Sequence, residues 1–344
     1  MGECAKLDLP TPGAAPIRIG QHLLRCPVLL APMSGVTDLA FRRLAHSLGA
    51  GLVVAEMVAS EHLVQDRHGA RRRARGGDVA PFVIQLAGCE ARWMAEGARV
   101  AASLGADIVD INMGCPAREV TGKLSGSALM RDLDHATSLI EAVVKAVSVP
   151  VTLKMRLGWD HASRNAPELA RRAEAAGVAL VTVHGRTRCQ HFKGASDWAF
   201  VRHVADAVRI PVVINGDILD PASARAALAA SGAGAVMIGR GAYGAPWMPP
   251  RIATTLATGR DPGAPPLAEQ GVIALAHVDA IIEQDGPGIG LRNARKHIGW
   301  YLASSGQPTD VVRAWRRRLC TSDVVREVRA GLAQFYSEAM EAAA

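Results

Sequence analysis

Eight short apolar segments alternate with helix-like segments through the first two thirds of the chain. Each apolar segment is apolar on both faces, which is typical of parallel strands covered by helices on both sides. The predicted strands are Val28–Met33, Leu52–Met57, Phe82–Ala87, Ile108–Met113, Val151–Arg156, Leu180–His184, Val212–Asn215 and Ala235–Ile238. The predicted helices are Asp38–Leu48, Ala91–Leu104, Leu133–Val147, Ala166–Ala176, Trp198–Val208 and Pro221–Ala230. This alternation predicts an α/β fold, the TIM (β/α)8 barrel.

A doubly wound parallel sheet is the competing fold for such an alternation. It would place a Gly-x-Gly-x-x-Gly loop after the first strand to bind a dinucleotide. The chain has "APMSGVTD" at 31–38 instead, which lacks this glycine pattern. The barrel is therefore the preferred prediction.

The alternation ends after Tyr243, and helical periodicity without any strand signal follows it. The segment "ATGRDPGAPPLAEQ", rich in Gly and Pro, predicts a linker between the two regions. We therefore predict an N-terminal extension at 1–18, a catalytic barrel at 19–256, a linker at 257–270 and a small helical domain at 271–344.

The chain is basic, with a formal net charge of +7 and a pI of about 9.4. A basic protein often binds a polyanion, especially where the charges cluster. Five arginines lie within Arg67–Arg75, and seven Lys or Arg against one acid lie within Arg292–Arg318. Either cluster could instead be a solvated surface, so their place in the fold decides between the two interpretations.

Six widely spaced cysteines include no Cys-x-x-Cys pair, so neither a zinc ribbon nor a redox dithiol is predicted. A disulfide framework is not expected in a chain this long and apolar, which favours a reducing compartment. The N-terminal segment lacks an apolar signal region, and no segment approaches the length of a membrane span. We expect a cytoplasmic monomer with no membrane or metal partner.

The predicted strands end in chemically active side chains or in glycine loops. In a barrel of this kind, the C-terminal ends of the strands carry the active site. The residues at these ends are Pro32, Met33, Ser34, Glu56, Gln85, Asn112, Cys115, Lys154, Arg156, His184, Arg186, Asn215, Gly216, Asp217, Gly239 and Arg240. Each is weak evidence alone, but together they predict a polar pocket.

Two glycine loops, "INGDI" and "IGRGA", follow the seventh and eighth predicted strands. Barrels commonly bind a phosphate at these two loops through backbone N–H groups. Arg240 could add a guanidinium fork to the phosphate. The glycines could also serve only tight turns, but two such loops at the two expected strands favour a phosphate site.

Lys154 ends the fifth predicted strand on an otherwise apolar segment. A buried lysine needs an ion-pair partner or an anionic ligand. It could form a Schiff base, stabilise an anionic reduced flavin, or pair with Glu56 or Asp110. His184 at the end of the next strand could be a satisfied core residue, but Arg186 two positions later favours a loop that faces an anion or substrate.

Cys115 leaves the fourth predicted strand in a Gly-Cys-Pro loop at the catalytic end, whereas the other cysteines read as small hydrophobic residues. It could be a nucleophile, a metal ligand or a general acid. No Cys or His spacing supplies metal partners, and a nucleophile needs an adjacent base. A thiol with a pKa of about 8.5 is mostly protonated at neutral pH and can donate a proton. Nearby Gln85 offers donors and acceptors to the edge of a heterocycle.

Several motifs resemble those of the tRNA-dihydrouridine synthases, most closely the bacterial B-type branch. They are "APMSGVTDLAFR" (31–42), "QLAG" (85–88), "DINMGCPAREVTGKLSGSALM" (110–130), "VTLKMRLGW" (151–159), "VTVHGRTR" (181–188), "NGDI" (215–218), "MIGRGAYGAPW" (237–247) and "ARKHIGWYL" (294–302). The resemblance covers nearly the whole chain from Ile19, and the Gly-Cys-Pro block followed by "GSAL" is its most specific part. Ser34 stands where many relatives have alanine, and Arg67–Arg75 is unusually basic.

The resemblance implies reduction of the uracil C5–C6 bond in a D-loop uridine of tRNA, with FMN as cofactor and NADPH, or NADH, as reductant. Hydride would pass from flavin N5 to C6, and Cys115 would donate a proton to C5. The residues implied to hold FMN are Pro32, Met33, Ser34, Gln85, Lys154, His184, Asn215, Gly216, Asp217, Gly239 and Arg240. Those implied to contact uridine or tRNA are Asn112, Lys123, Arg186, Arg292, Arg295, Lys296, Arg316, Arg317 and Arg318.

A uridine in folded tRNA must be extruded into the pocket, which calls for a second grip on the RNA. The basic helical domain suits that grip, and the B-type resemblance hints at D-loop position 17. One alternative is an FMN-dependent barrel reductase of a small molecule, similar to dihydroorotate dehydrogenase, which leaves the basic helices without a role. Another is a tRNA-binding or folding factor with a vestigial site, against which Cys115, Lys154 and His184 argue.

Overall fold

A computed structural model describes residues 16–67, 69–76, 78–122 and 124–342. Its strands are β1 Arg18–Ile19, β2 His22–Leu23, β3 Val28–Leu30, β4 Leu52–Val53, β5 Val58–Ala59, β6 Val83–Ala87, β7 Ile108–Met113, β8 Val151–Arg156, β9 Leu180–His184, β10 Val212–Asn215 and β11 Ala235–Ile238. Most of the predicted N-terminal extension, residues 1–15, lies outside the described residues.

The helices fall into a barrel set and a C-terminal set. The first set is α1 Leu39–Ser47, α2 Ser60–Val64, α3 Ala70–Arg73, α4 Ala91–Ser103, α5 Arg118–Thr121, α6 Leu133–Ala146, α7 Ala166–Ala176, α8 Trp198–Ala205, α9 Pro221–Ser231 and α10 Met248–Thr258. The second set is α11 Leu267–Asp285, α12 Pro287–Ser304, α13 Thr309–Thr321 and α14 Val325–Glu341. Short 3-10 turns occupy Gly126–Arg131 and Arg240–Ala242.

Parallel strands close into a barrel through the segment 52–59. The sheet runs in the order β4-β3-β11-β10-β9-β8-β7-β6-β5, so both of its outer strands come from that one segment. Between them Val54 bridges to Val83 of β6, and the N–H of Ala55 donates to the carbonyl of Val83 at 3.1 Å. β4 and β5 are thus two halves of one broken strand. The predicted TIM barrel, followed by C-terminal helices, is confirmed.

The predicted strands from residue 108 onward agree with the structure to the residue, but the first two are shorter than predicted. β3 ends at Leu30 because the chain turns, and the N–H of Met33 donates to Thr37 Oγ1 at 2.8 Å. The second strand breaks after Val53, and the Glu56 carboxylate beyond the break accepts from the N–H of Gly35. Helices α2, α3, α5 and α10 were not predicted.

The predicted linker at 257–270 is partly helical. α10 ends at Thr258 and α11 begins at Leu267, so residues 259–266 join the two helices. The division of the chain into domains at these positions stays a prediction. None of the helices within the described residues has the length and apolar character needed to cross a membrane.

The hairpin β1–β2 covers the N-terminal end of the barrel. Ile19 is fully buried there and belongs to one apolar cluster with Val83, Ile108 and Leu180, which begin β6, β7 and β9. This plug leaves the C-terminal ends of the strands as the open end, where a barrel places its functional side chains.

The C-terminal helices dock on α1 through a buried aromatic and histidine cluster. The ring of Phe41 lies 5.3 Å from that of His277 and 5.5 Å from that of His297. His277 Nδ1 lies 2.9 Å from the hydroxyl of Tyr301, while Nε2 of both histidines has no partner among the described residues. Burial lowers the pKa of His277 to about 3 and that of His297 to about 2.

We expect stability to fall as the pH drops below about 6.5, the ordinary histidine pKa. Both imidazoles are neutral in the folded protein, whereas the unfolded chain takes up their protons. Each histidine should cost about 1.4 kcal/mol of unfolding free energy per pH unit between about 6.5 and 3. Urea unfolding from pH 7 to 5 should therefore show a shallower pH dependence in the His297→Leu variant. The exposed residue His161 supplies the control, and equal slopes in His297→Leu and His161→Leu would contradict this account.

Candidate active site

A cavity of about 720 Å³ opens at the C-terminal ends of the barrel strands. All eleven residues predicted to hold a cofactor line it, together with Asn112 and Cys115. The eleven are Pro32, Met33, Ser34, Gln85, Lys154, His184, Asn215, Gly216, Asp217, Gly239 and Arg240. Lys123 lies outside the described residues. The structure thus brings the predicted strand-end residues together around one cavity, except Glu56 and Arg186, which do not line it.

A chain of hydrogen bonds crosses the floor of this cavity from β8 to the cysteine loop. Thr152 Oγ1 donates to Asp110 Oδ1 at 2.5 Å, and Gln85 Nε2 donates to Asp110 Oδ2 at 2.6 Å. Asn112 Nδ2 then donates to Gln85 Oε1 at 2.7 Å. Asn112 Oδ1 accepts from the backbone N–H of Cys115 at 2.9 Å. Asp110 and Asn112 are two residues apart on β7, so their side chains point to the same face. Gln85 on β6 and Thr152 on β8 are paired with Asp110 and point to that face too.

Asp110 gives this chain its direction. An ionised carboxylate can only accept hydrogen bonds, so the amide N of Gln85 must face it. The oxygen of Gln85 then faces Asn112, whose own oxygen must face the N–H of Cys115. Burial raises the pKa of Asp110 above its ordinary value, and its bonds to Gln85 and Thr152 offset this only in part. Both oxygens accept a hydrogen bond, as those of a carboxylate do. The orientation of the Cys115 loop therefore depends on the buried acid Asp110, which lies two residues before Asn112 on β7.

The loop that carries Cys115 is also held from the "GSAL" segment. The carbonyl of Cys115 accepts from the N–H of Ser127 at 3.0 Å and from its hydroxyl at 2.8 Å. A Cβ on Gly126, which has φ +58°, would lie only 2.8 Å from that carbonyl oxygen. Arg156 Nε donates to the carbonyl of Gly114 at 2.8 Å. These contacts explain why the two sequence motifs occur together.

Burial raises the pKa of the Cys115 thiol, although the nearby cations Arg156 and Lys154 lower it. The thiol is therefore held in its protonated form at neutral pH. A protonated thiol on a cavity wall is placed to act as an acid rather than as a thiolate nucleophile.

Lys154 bonds to an amide and not to an acid. Its Nζ donates to Asn215 Oδ1 at 3.0 Å, and Asn215 Nδ2 donates to the carbonyl of Met237 at 2.8 Å. Within the described residues neither Glu56 nor Asp110 lies within ion-pair distance of it. Burial and the charge of Arg156 lower the pKa of Lys154 to about 8. The ammonium thus faces the cavity without a neutralising partner, which favours an anionic ligand.

Asp217 gathers two arginines beside the glycine loops. It forms an ion pair with Arg186 and accepts from Arg240 Nη2 at 3.2 Å and from the N–H of Ser196 at 2.9 Å. Arg186 is buried and also donates to the carbonyl of Gly194 at 2.6 Å. It does not line the cavity. This placement favours a role in holding Asp217 and its loop over the predicted contact with substrate.

His184 is neutral in this setting, because burial and the surrounding cations hold its pKa well below the ordinary value. Gly216, with φ +113°, passes close to it, and a Cβ there would lie 2.9 Å from His184 Nε2. Gly216 and Arg240 lie on the cavity wall in the two glycine loops, where backbone N–H groups can bind the oxygens of a phosphate.

Some lining residues were given no role in the sequence analysis. Arg156 shares the inward face of β8 with Lys154, two positions earlier, and donates to the carbonyls of Thr187 and His191 at 2.9 Å. The ring of Phe192 lies 5.6 Å from the guanidinium of Arg156 and at the same distance from that of Arg240. The period of two along β8 was a signal for Arg156, whereas nothing local marked Phe192.

The predicted RNA-binding residues divide by exposure. Four are exposed on the C-terminal helices: Arg292, Arg316, Arg317 and Arg318. Arg295 instead donates to Asp323 Oδ1 at 2.5 Å and to the carbonyl of Ser322 at 3.2 Å. Lys296 Nζ donates to the carbonyl of Asn293 at 3.0 Å. The exposed four are free to reach a phosphate backbone, whereas Arg295 ties α12 to the segment after α13 and Lys296 bonds within α12.

The chain matches a family model described as dihydrouridine synthase (Dus) over residues 29–340. It therefore belongs to this family, and the resemblance seen in its motifs is confirmed.

Three relatives illustrate the match. A probable tRNA-dihydrouridine synthase of Rhodobacter capsulatus is 55% identical over 284 residues, 82% of this chain and 88% of the relative. One of Rickettsia conorii is 48% identical over 327 residues, 94% of this chain and 98% of the relative. The tRNA-dihydrouridine synthase B of Pseudomonas putida is 47% identical over 289 residues, 84% of this chain and 86% of the relative. The similarity to B-type proteins is thereby confirmed.

Two solved structures share the fold at low identity. Histamine dehydrogenase from Rhizobium sp. 4-9 is 14% identical with a TM-score of 0.57, over 98% of this chain and 65% of that one. 6-Hydroxypseudooxynicotine amine oxidase from Pseudomonas geniculata N1 is 14% identical with a TM-score of 0.57, over 95% of this chain and 66% of that one. The chain spans about two thirds of each, and the likeness shows the fold alone.

Replacing Asn112 with aspartate should break the hydrogen-bond chain for either orientation of Gln85. If Gln85 keeps its orientation, its oxygen faces the new carboxylate; if its amide turns over, its oxygen faces Asp110. We expect the free energy of unfolding to fall by about 1–3 kcal/mol, the cost of leaving a buried polar group without a partner. Urea unfolding at pH 7.5 measures this loss.

The double variant Asp110→Asn with Asn112→Asp is the matched control, because it reverses the chain. The new amide at position 110 would donate to Gln85, and Gln85 would donate to the new carboxylate at position 112, which still accepts from the N–H of Cys115. Most of the lost stability should return. A double variant no more stable than Asn112→Asp alone would show that Asp110 does not set the direction.

Proposed function

We propose that this member of the dihydrouridine synthase family is a tRNA-dihydrouridine synthase that reduces the uracil C5–C6 bond of a D-loop uridine. The proposal includes FMN as cofactor and NADPH, or NADH, as the source of electrons. The observation that carries it is the protonated thiol of Cys115 on the wall of a cationic cavity of about 720 Å³. The names of the relatives support the substrate, and this chain matches those relatives over most of their length.

The cavity fits FMN in volume and in charge. Its volume lies within the ~300–1,000 Å³ range of small-molecule sites. Lys154, Arg156 and Arg240 line it as cations, and the Asp217 carboxylate is already engaged by two arginines. The glycine loops that hold Gly216 and Arg240 suit a phosphate, which helix starts and glycine loops commonly bind.

Two groups of side chains would hold the cofactor. Asn215, Gly216, Asp217, Gly239 and Arg240 would hold the phosphate end, with Arg240 as a guanidinium fork. Pro32, Met33, Ser34, Gln85, Lys154 and His184 would line the flavin ring. When bound, FMN supplies a hydride for C6 of the uracil.

Cys115 would complete the reduction by giving its thiol proton to C5 of the uracil. The raised pKa keeps that proton on sulfur until a base with developing charge lies beside it. The contacts from Asn112, Ser127 and Arg156 to its loop fix where the thiol points. A positioned acid of this kind typically contributes about 10²–10⁴-fold to a rate.

Asn112 would contact the uracil with its remaining amide hydrogen. Its oxygen already accepts from the N–H groups of Gly114 and Cys115, and one N–H donates to Gln85. The other N–H faces only the sulfur of Met57 at 3.6 Å, a weak acceptor. That hydrogen is therefore available to a uracil carbonyl.

The C-terminal helices would bind the tRNA backbone while the uridine is extruded into the cavity. Arg316, Arg317 and Arg318 are exposed along one turn of α13, and Arg292 is exposed on α12. Phosphate contacts by such arginines position an RNA without reading its sequence. Extrusion of the base costs a few kcal/mol, which these contacts would offset.

Cys115→Ala should retain bound flavin and NADPH oxidation but lose uridine reduction by about 10²-fold or more, since only the acid is removed. The measurement is mass spectrometry of nucleosides from unmodified tRNA incubated with protein, FMN and NADPH. Cys189→Ala, at an exposed cysteine, is the control and should keep activity. Loss of flavin from the Cys115→Ala protein would instead show that this cysteine has a structural role.

FMN affinity should weaken as the pH rises above about 8, because Lys154 loses its charge there. Below its pKa the ammonium attracts the anionic cofactor; above it the attraction is lost. One linked proton allows a fall of at most about tenfold per pH unit. Flavin fluorescence titrations between pH 7 and 9.5 measure this, and Lys154→Arg should flatten the curve. A pH-independent affinity in the unsubstituted protein would place Lys154 away from the cofactor.

A further inference from the structure

The arginine-rich segment 67–75 is anchored to the barrel, so its side chains project from a fixed turn. Ala70 and Ala74 of this segment are fully buried. The buried Arg42 donates through Nη2 to the carbonyl of Arg75 at 2.6 Å and through Nε to that of Thr37 at 3.2 Å. A buried guanidinium thus ties the segment to the loop that follows the first barrel strand. We call its five arginines the α3 basic surface; they are Arg67, Arg71, Arg72, Arg73 and Arg75.

The α3 basic surface lies on the rim of the catalytic end of the barrel. It follows β5, whose C-terminal end faces that side. The charge of Arg73 acts on Glu56, and the Glu56 carboxylate accepts from the N–H of Gly35. Gly35 directly follows Ser34, which lines the cavity. The surface therefore flanks the opening through which a substrate must enter.

The α3 basic surface also adjoins the C-terminal helices. Arg72 Nη1 lies 3.4 Å from Asp285 Oδ1 at the end of α11. The other oxygen of Asp285 accepts from Asn293 Nδ2 of α12 at 2.7 Å, and the exposed Arg292 is the neighbour of Asn293. Two basic clusters more than two hundred residues apart in the sequence are thus joined across a single aspartate.

Part of this positive charge is not paired with an acid. Arg71 lies 3.8 Å from Asp66 and Arg72 pairs with Asp285, whereas in the described structure Arg67 and Arg75 form no ion pair. Arg67, Arg71 and Arg75 are all exposed. Arg71 and Arg75 also line a cleft of about 710 Å³ between α1, the α3 segment and α11, with the ion pair Arg43–Asp78 and with Glu283. Exposed guanidinium groups along such a cleft suit an extended chain of phosphates rather than one small anion.

We infer that the α3 basic surface is a second binding site for the RNA phosphate backbone, separate from α13. With Arg292 it forms one basic track from the rim of the cavity to the C-terminal helices. The inference rests on the proposed function, because it takes tRNA to be the polyanion. It assigns the barrel itself, and not only the helices, a share of the grip on the RNA.

The test compares two triple variants with the same loss of charge. The first replaces Arg67, Arg71 and Arg75 with glutamine. The second replaces Arg18, Arg99 and Arg209, which are also exposed. Arg18 and Arg209 lie at the N-terminal end of the barrel, and Arg99 pairs with Glu96 at 2.7 Å, much as Arg71 approaches Asp66.

Fluorescence anisotropy with unmodified tRNA, at KCl concentrations from about 50 to about 300 mM, gives the affinity and its salt dependence. Each lost phosphate contact lowers the log–log salt slope by about 0.7–0.9. The first variant should therefore lose about 2–3 from the slope and bind at least about tenfold more weakly at the lowest salt. The second variant should match the unsubstituted protein. Lysines at positions 67, 71 and 75 should restore most of the slope, since they keep the charge.

Three outcomes are distinct. A slope lost only in the first variant, with flavin content and melting temperature unchanged, supports the inference. The inference is overturned if tRNA affinity falls equally in both triple variants, or in neither. If the unsubstituted protein still binds tRNA, the proposed function stays intact. An unsubstituted protein that neither binds tRNA nor forms dihydrouridine overturns the proposed function, and the inference falls with it.

Discussion

The buried carboxylate of Asp110 orients the polar groups on the cavity floor from β8 to the Cys115 loop. It is the one member of that chain without a hydrogen to donate, so each amide beyond it has a single satisfied orientation. In a low-dielectric interior the reversed orientation would leave a carboxylate facing an oxygen, which is costly. The charge of Asp110 therefore orients the Cys115 loop indirectly, through the uncharged side chains of Gln85 and Asn112.

The same region carries an excess of buried or half-buried cations. Lys154, Arg156 and Arg186 are largely desolvated, and the described acids near them are Asp110, Asp217 and Glu119. Such an arrangement costs stability unless an anion completes it. The pKa of Lys154 is lowered for the same reason, by burial and by the charge of Arg156. Affinity for an anionic ligand and partial instability of the empty cavity are thus two aspects of one charge distribution.

The sequence predicted those parts of the fold that depend on local pattern. Strands buried on both faces, such as β7 and β8, are marked by continuous apolar residues, and their bounds agree with the structure. The break between β4 and β5 could not be predicted, because it depends on Glu56 meeting Gly35 from a different loop. The burial of His277 and His297 likewise follows from how α11 and α12 dock on α1, which no local pattern reveals.

The candidate site divides in the same way. The strand-end rule placed Lys154 and Asn215 at the cavity, because both lie at the C-terminal ends of their strands. It could not distinguish Arg186, whose side chain turns away to Asp217, from Arg156, which reaches the cavity. Phe192 lies on a loop whose path is set by tertiary contacts. Residues on strands or directly after a strand end could be assigned from the sequence, whereas Phe192, farther along a loop, required the structure.

The hairpin that plugs the N-terminal end of the barrel has a kinetic consequence. With that end filled by Ile19 and its neighbours, the cavity communicates with solvent from one side only. In the proposed reaction, the nicotinamide reductant and the extruded base would then have to enter through the same opening. They would have to visit in turn, so the reaction would divide into two half-reactions with the reductant gone before the RNA arrives.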